Sequence, residues 1–236
     1  MADSYAGLAR YYDLIMTSGY YDYAALAQEL LAHLGDRRRL LELGVGTGLV
    51  CEKLLEHGPP DLRITGIDHT ASMLAQAHER LGGRVRLIEG DIVETRPAPD
   101  FDAAYSVGGI WYGIQDEGRF WLGSHLTEED EDIRGLDNLA AALPPGGQLL
   151  LALQDPHHPY RRTLPGGLVY AQEIRTRGNG RFVKEYSVLR ADRTLARQRS
   201  PFRLRPQPEA DRLLERCGFV LADHDPGGRV RRYTRS

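Results

Sequence analysis

The sequence predicts an α/β fold: a mostly parallel sheet with helices on both faces. Three stretches carry that prediction. The first is Leu40-Leu41-Glu42-Leu43-Gly44-Val45-Gly46-Thr47-Gly48, an apolar run that ends in a carboxylate and three alternate glycines. The chain resumes with Leu49, Val50, Leu54 and Leu55 at helical spacing, so the segment reads as strand, tight loop and helix. The second is Leu62 to Ile67, which alternates apolar residues into Gly66-Ile67-Asp68. The third, Val85-Arg86-Leu87-Ile88-Glu89-Gly90-Asp91-Ile92, is a strand that runs into Gly-Asp-Ile.

Glycines in such a loop permit backbone angles that other residues avoid, and they remove β-carbons that would hold a ligand away. The loop should therefore touch something. A dinucleotide fingerprint needs Gly-x-Gly-x-x-Gly, but Leu49 occupies the last position. A phosphate-binding P-loop needs a following Gly-Lys-Ser/Thr, which is absent. The pattern Glu-x-Gly-x-Gly-x-Gly instead resembles motif I of the class I S-adenosylmethionine (SAM) dependent methyltransferases. That resemblance implies a Rossmann-like class I methyltransferase fold, with a seven-stranded sheet parallel except for its last strand. It also implies SAM as cofactor, with Gly44 and Gly46 at the close backbone, Glu42 near the amino-acid end and Asp68 on the ribose. Asp68 lies roughly twenty residues past the loop, as the ribose-binding acid of a βαβ unit does. By the same resemblance Asp91 meets the adenine amino group and Ile92 the ring, with His69, Met73 and Ser106 as further cofactor contacts.

Composition agrees with an enzyme of this size. The 236 residues suit one α/β domain with a modest insertion, and the net charge of -3 excludes a strongly basic nucleic-acid binder. There is no long apolar run and no basic-then-apolar leader, so no membrane partner is expected and the cytoplasm is the expected compartment. Cys51 and Cys217 each fall on an apolar helix face and form no metal spacing, so both read as core and no metal is expected.

Along the chain, the first 23 residues hold Tyr5, Tyr11, Tyr12, Tyr20, Tyr21 and Tyr23, half of the 12 tyrosines. A tyrosine ring face attracts a cation such as a sulfonium. The segment Ala9-Arg10-Tyr11-Tyr12-Asp13-Leu14-Ile15 resembles the N-terminal stretch of glycine and amino-sugar methyltransferases, where it folds over cofactor and substrate. This makes Tyr12 a catalytic and cofactor-binding candidate, Tyr20 a cofactor contact and Tyr21 a substrate contact. Asp22 to Leu34 reads as a helix with Leu26, Leu30 and Leu34 on one face. Arg37-Arg38-Arg39 reads as a helix C-terminus shedding charge into solvent. Thr70 reads as the N-cap of a helix to Leu81.

Phe101 to Val107 reads as the fourth strand, and Gly108-Gly109-Ile110-Trp111-Tyr112-Gly113 as a flexible turn beyond its carboxyl end, where ligands of open α/β sheets lie. Trp111 and Tyr112 are candidates there for the substrate wall, or else a hydrophobic plug. Gln115 to Glu129, with Phe120, Trp121 and His125, reads as a polar loop, either a substrate lid or a surface excursion. Thr127-Glu128-Glu129-Asp130 starts a helix running to about Leu143. Leu143-Pro144-Pro145-Gly146-Gly147 and the run after it form the family's turn and fifth strand. Its end delivers Gln154-Asp155-Pro156-His157-His158, and His157 or His158 is the candidate general base.

From Gly167 the period changes to alternation: Leu168 to Arg177, the turn Gly178-Asn179-Gly180, Phe182 to Arg190, and Leu195 to Leu204 read as three antiparallel strands. An inserted antiparallel auxiliary sheet of this kind resembles that of the amino-sugar and glycine N-methyltransferases, where it builds a substrate wall or a homodimer contact. Pro208 to Cys217 and Gly218-Phe219-Val220-Leu221 read as the closing helix and strand, and the Arg229, Arg231, Arg232 and Arg235 tail as a solvated end or else a hold for an anionic substrate group. The expected organisation is a single domain with an aromatic arm over 1–34, a cofactor core over 37–154 and 205–236, and an auxiliary insertion over 155–204. The expected function is methyl transfer from SAM to a nitrogen or oxygen of a small molecule. Alternatives are non-methylating SAM chemistry on the same fold, such as a cyclase or decarboxylase, and a silent SAM-binding partner.

Overall fold

Helix α1 (Ala9–Thr17) opens the computed structural model, which describes residues 7–191, 193–224 and 228–236; Tyr5 lies outside them. Helix α2 (Tyr23–Leu34) starts where Asp22 accepts a hydrogen bond from Ala25 N at 3.0 Å and buries Leu26, Leu30 and Leu34. Strand β1 (Arg39–Leu43), helix α3 (Leu49–His57), strand β2 (Arg63–Asp68), helix α4 (Ala71–Leu81) and strand β3 (Arg86–Glu89) follow, close to the spans that the sequence periodicity predicts. Next come β4 (Ala103–Ser106), β5 (Trp111–Asp116) and β6 (Arg119–Ser124). Helix α5 (Glu129–Ala142) begins one residue later than expected, because Glu128 is its N-cap and forms a capping box with Glu131. Strands β7 (Gln148–Gln154), β8 (Tyr160–Leu164), β9 (Leu168–Gly178), β10 (Arg181–Arg190) and β11 (Arg193–Pro206) precede α6 (Gln207–Arg216), β12 (Phe219–His224) and β13 (Val230–Arg235).

The core sheet runs β3-β2-β1-β4-β7-β13-β12. The pairs from β3 to β7 are parallel, and β13 is antiparallel to both of its neighbours, so β13 alone opposes the rest. One face buries Leu41, Leu43, Leu149 and Leu151 under α5 and α6, and the other buries Leu40, Ile64 and Leu150 under α2, α3 and α4. This is the seven-stranded mostly parallel sheet that the sequence predicts.

Two expectations need correction here. The Gln115–Glu129 loop is in fact largely the hairpin β5–β6, closed by Glu117 (φ 45) and Gly118 (φ 80), with Phe120 and Leu122 buried. The arginine tail is not a solvated end: Val230 to Arg235 is the strand between β7 and β12, and Arg231 is 1% exposed with its guanidinium 3.9 Å from the Phe120 ring centroid.

A second, antiparallel sheet runs β5-β6-β11-β10-β9-β8 and joins the first through parallel pairing of β5 with the end of β7. The expected meander is therefore present, extended by β8 and by the hairpin. Asn179 (φ 51) and Gly180 (φ 70) turn the chain between β9 and β10. Helix α1 packs Leu8 and Ile15 against Leu168, Tyr170 and Val188 of this sheet. No helix among the described residues is long and apolar enough to cross a membrane.

Candidate active site

The glycine loop is pinned to the end of β2, since Gly44 N and Val45 N both donate to Ile67 O, at 2.9 and 3.1 Å. Gly44 and Gly48 serve packing: a β-carbon would lie 2.7 Å from Gly109 Cα in the first case and 2.8 Å from Leu81 Cδ1 in the second. Gly46 (φ 55) differs, because a β-carbon there would meet nothing nearer than the Tyr12 hydroxyl at 3.9 Å. A gap thus separates bare backbone from an aromatic side chain. Asp68 fixes one end of it, taking Gly46 N on Oδ2 and Thr70 N on Oδ1, both at 2.9 Å, while the residue stays half-buried. His69 beside it is exposed. Asp91, also half-buried, accepts Val93 N at 2.9 Å at the end of β3. An open backbone and two held carboxylates at successive strand ends fit a cationic sulfonium nucleoside.

Helix α1 is tied to this loop by groups that the sequence reading did not single out. Thr47 Oγ1 donates to Asp13 at 2.6 Å. Arg80 pairs with Asp13 and donates Nε to Thr47 O at 2.9 Å, and Gln76 donates to Ala9 O at 3.1 Å. Tyr12 is held over Gly46 as a result.

Several candidates stand elsewhere than expected. Glu42 is 2% exposed, and its Oε2 accepts from Cys51 Sγ at 2.8 Å and from Tyr105 OH at 2.9 Å, so core groups hold the carboxyl beneath the loop. Burial pushes it up to about 8, against the lowering effect of those two hydrogen bonds. Met73 and Ile92 are 2% and 1% exposed and pack in the core, and buried Ser106 donates to Leu43 O at 3.1 Å. Trp111 is not a pocket wall: it is 1% exposed and donates Nε1 to the buried Asp132 at 2.7 Å, under α5. Its alternation with Tyr112 along β5 sends the two rings to opposite faces. Asp132 in turn pairs with the buried Arg205 at 2.6 Å.

Tyr112 does line a cleft, which opens beyond the carboxyl ends of β4 and β7 and is roofed by Tyr12, Tyr20 and Tyr21. The rings of Tyr20 and Tyr21 meet edge-on at 5.0 Å. On the cleft's lining a β-carbon on Gly108 would lie 2.7 Å from Gln154 Nε2 and 3.2 Å from Tyr21 OH. The far wall belongs to the auxiliary sheet and carries Lys184, 3% exposed, with Nζ 2.9 Å from His157 Nε2 and 5.1 Å from the Phe202 ring centroid. Burial lowers this ammonium to about 7. His125, also on the lining, is lowered to about 4 by burial and then by Lys184.

The two general-base candidates stand in different surroundings. Burial, followed by the charge of Lys184, lowers His157 to about 2, and its Nε2 lies 2.9 Å from both Gln154 Oε1 and Lys184 Nζ, so the ring does not take a proton near neutrality. His158 is exposed and bonds Pro156 O through Nδ1 at 3.1 Å, away from the lining. Lys184 went unread, although its β10 position shares a face with Phe182, Tyr186 and Val188, a lysine in phase with apolar residues.

Residues 40–147 match the protein family described as methyltransferase domain. Trans-aconitate 2-methyltransferase of Rhodopseudomonas palustris is 33% identical over 131 residues, covering 55% of this chain and 44% of that protein. The chain spans about half the length of most curated relatives it matches. Among solved structures, Streptomyces venezuelae DesVI superposes over 97% of this chain and 98% of its own with a TM-score of 0.74 at 20% identity. SAM-bound CalS10, an amino pentose methyltransferase from Micromonospora echinaspora, covers 96% and 97% with a TM-score of 0.68 at 24% identity. At such identities the likeness establishes the fold. The fold is that of the class I SAM-dependent methyltransferases, and the match over residues 40–147 places a methyltransferase domain there.

Proposed function

We propose that the protein transfers the methyl group of SAM to a nitrogen or oxygen of a small molecule held in the cleft between the glycine loop and the auxiliary sheet. The observation that carries this reading is the place of Tyr12. Tyr12 bounds the gap over Gly46 and also lines the cleft, so one ring is shared by cofactor and acceptor sides. CalS10, which matches over nearly the whole chain, acts on an amino pentose in calicheamicin biosynthesis, and this supports a small-molecule acceptor.

SAM supplies an already activated methyl group, so the protein's work is alignment and exclusion of water. Asp68 and Asp91 would hold the ribose and adenine, with the bare backbone at Gly46 allowing close approach. Glu42 supports the loop from beneath through Cys51 and Tyr105. The Asp13–Thr47–Arg80 cluster keeps α1 and Tyr12 closed over the site. A neutral amine acceptor needs no strong base.

The test is calorimetric titration with S-adenosylhomocysteine, followed by SAM turnover against amines, amino sugars, phenols and carboxylic acids. Binding with turnover on one class is the expected result. Binding without turnover on any class would count against methyl transfer, and absence of binding would count against the placement of the cofactor.

A further inference from the structure

The acceptor wall differs from the rest of the molecule in its charges. The chain as a whole has more acids than bases, yet among the described residues no aspartate or glutamate lines the cleft, and Lys184 is its one lysine or arginine; Asp155, exposed just past the end of β7, is a carboxylate whose charge reaches Tyr21. Among the described residues Lys184 forms no ion pair. The groups facing it are neutral, and His157 Nε2, 2.9 Å away, accepts from its ammonium. Tyr112 and Phe202 lie under its ammonium, and His157 and His125, both neutral at pH 7, stand beside it. Tyr21 brings to the same cleft an enclosed hydroxyl without a hydrogen-bond partner. A buried cation without a counter-charge is costly, and a ligand bringing that charge recovers the cost on binding. An ammonium-bearing acceptor would instead meet Lys184 with no carboxylate to receive it.

Resting on the methyltransferase reading above, we propose that the acceptor carries an anionic group, a carboxylate or a phosphate, that docks on Lys184 with the Tyr21 hydroxyl as second donor, while its apolar body lies among the tyrosine rings. Lys184 is thus a specificity-determining residue, and the acceptor is an acid. Because the free ammonium sheds its proton near neutrality, anion binding takes up a proton at higher pH.

The experiment uses the full chain saturated with S-adenosylhomocysteine. Acetate, benzoate and inorganic phosphate are titrated calorimetrically, with acetamide and benzamide as neutral isosteres. At least one anion is expected to bind about tenfold or more tighter than the isosteres. That preference should fall as pH rises from about 7 to about 9, with proton uptake seen as a buffer-dependent heat. Lys184→Met should remove the preference and leave S-adenosylhomocysteine affinity unchanged. A preference for phosphate over both carboxylates would identify the anion as a phosphate. Equal binding of anions and amides, binding of none of the anions, or a preference surviving in Lys184→Met would overturn the proposal. Tyr21→Phe provides a milder variant should the lysine substitution disturb folding, and it should weaken the preferred anion more than its isostere. Failure of S-adenosylhomocysteine itself to bind would fall on the methyltransferase reading, since none of the anion probes touches that outcome.

Discussion

The two sides of the site are built from opposite materials. At the cofactor side, carboxylates stand at the ends of consecutive parallel strands, Asp68 as the last residue of β2 and Asp91 just past β3, beside a loop reduced to backbone. At the acceptor side the wall is an antiparallel sheet with aromatic rings, two neutral histidines and a buried lysine. The first side suits a ligand with hydroxyls and a positive sulfur; the second suits a ligand that brings negative charge. The contrast teaches that the parallel core sets the cofactor, whereas the inserted sheet sets what the methyl group meets.

The largest expected effect is on the first side. Asp68→Ala removes the acceptor of both Gly46 N and Thr70 N, leaving two donors unpaired and, on the proposed reading, the ribose without its ligand. We expect S-adenosylhomocysteine affinity to fall about 100-fold with circular dichroism unchanged, and intact affinity would break the comparison there. Asp13→Ala should cost about tenfold, since it releases α1 from Thr47 and Arg80 without touching the strand ends. Faster proteolysis within α1 would accompany that loss.

Not all of this was open to sequence reading, and the boundary follows from locality. Glycine loop, strand and acid follow one another along a short stretch of chain, so the place of Asp68 at a strand end could be read from spacing, whereas the seven-stranded order came from the resemblance to the class I methyltransferases. Lys184, His125, His157 and Tyr21 come from four distant segments and meet only because β5 pairs with the end of β7 and β10 lies across the cleft. The β5–β6 hairpin escaped notice because its turn places Glu117, a residue that seldom adopts positive φ, beside Gly118. Strand β13 was hidden by composition. Its arginines read as solvated, but Arg231 is accommodated by stacking on Phe120 and bonding the Tyr233 hydroxyl at 2.9 Å. Glu42 shows the reverse: its motif position was legible and its orientation was not, because Cys51 and Tyr105 decide it.

Two smaller effects sharpen the comparison through pH. Lys184 is lowered from its ordinary value to about 7, so between about pH 7 and about pH 10 the unfolded chain binds the extra proton and wild-type stability gains with rising pH. Lys184→Met should lack that gain and be more stable than wild type at pH 7, the difference narrowing towards pH 10 in urea titrations. Glu42 is raised to about 8, so its contribution is full below about pH 4 and is lost as pH rises towards 8. Glu42→Gln should flatten that loss and change S-adenosylhomocysteine affinity less than about threefold, as a neutral isostere of a protonated, enclosed carboxyl. A loss as large as that of Asp68→Ala would return Glu42 to the cofactor's first contacts.

The proposed site has an acid-bearing cofactor end and an acceptor end whose described lining holds no carboxylate. A crystal structure of the full chain with S-adenosylhomocysteine tests it most directly. The account predicts the ribose hydroxyls on Asp68, the adenine beside Asp91, and the sulfur under Tyr12 facing Gly108 and the Lys184 wall. A cofactor bound away from Asp68, or with its sulfur turned from that wall, would contradict it.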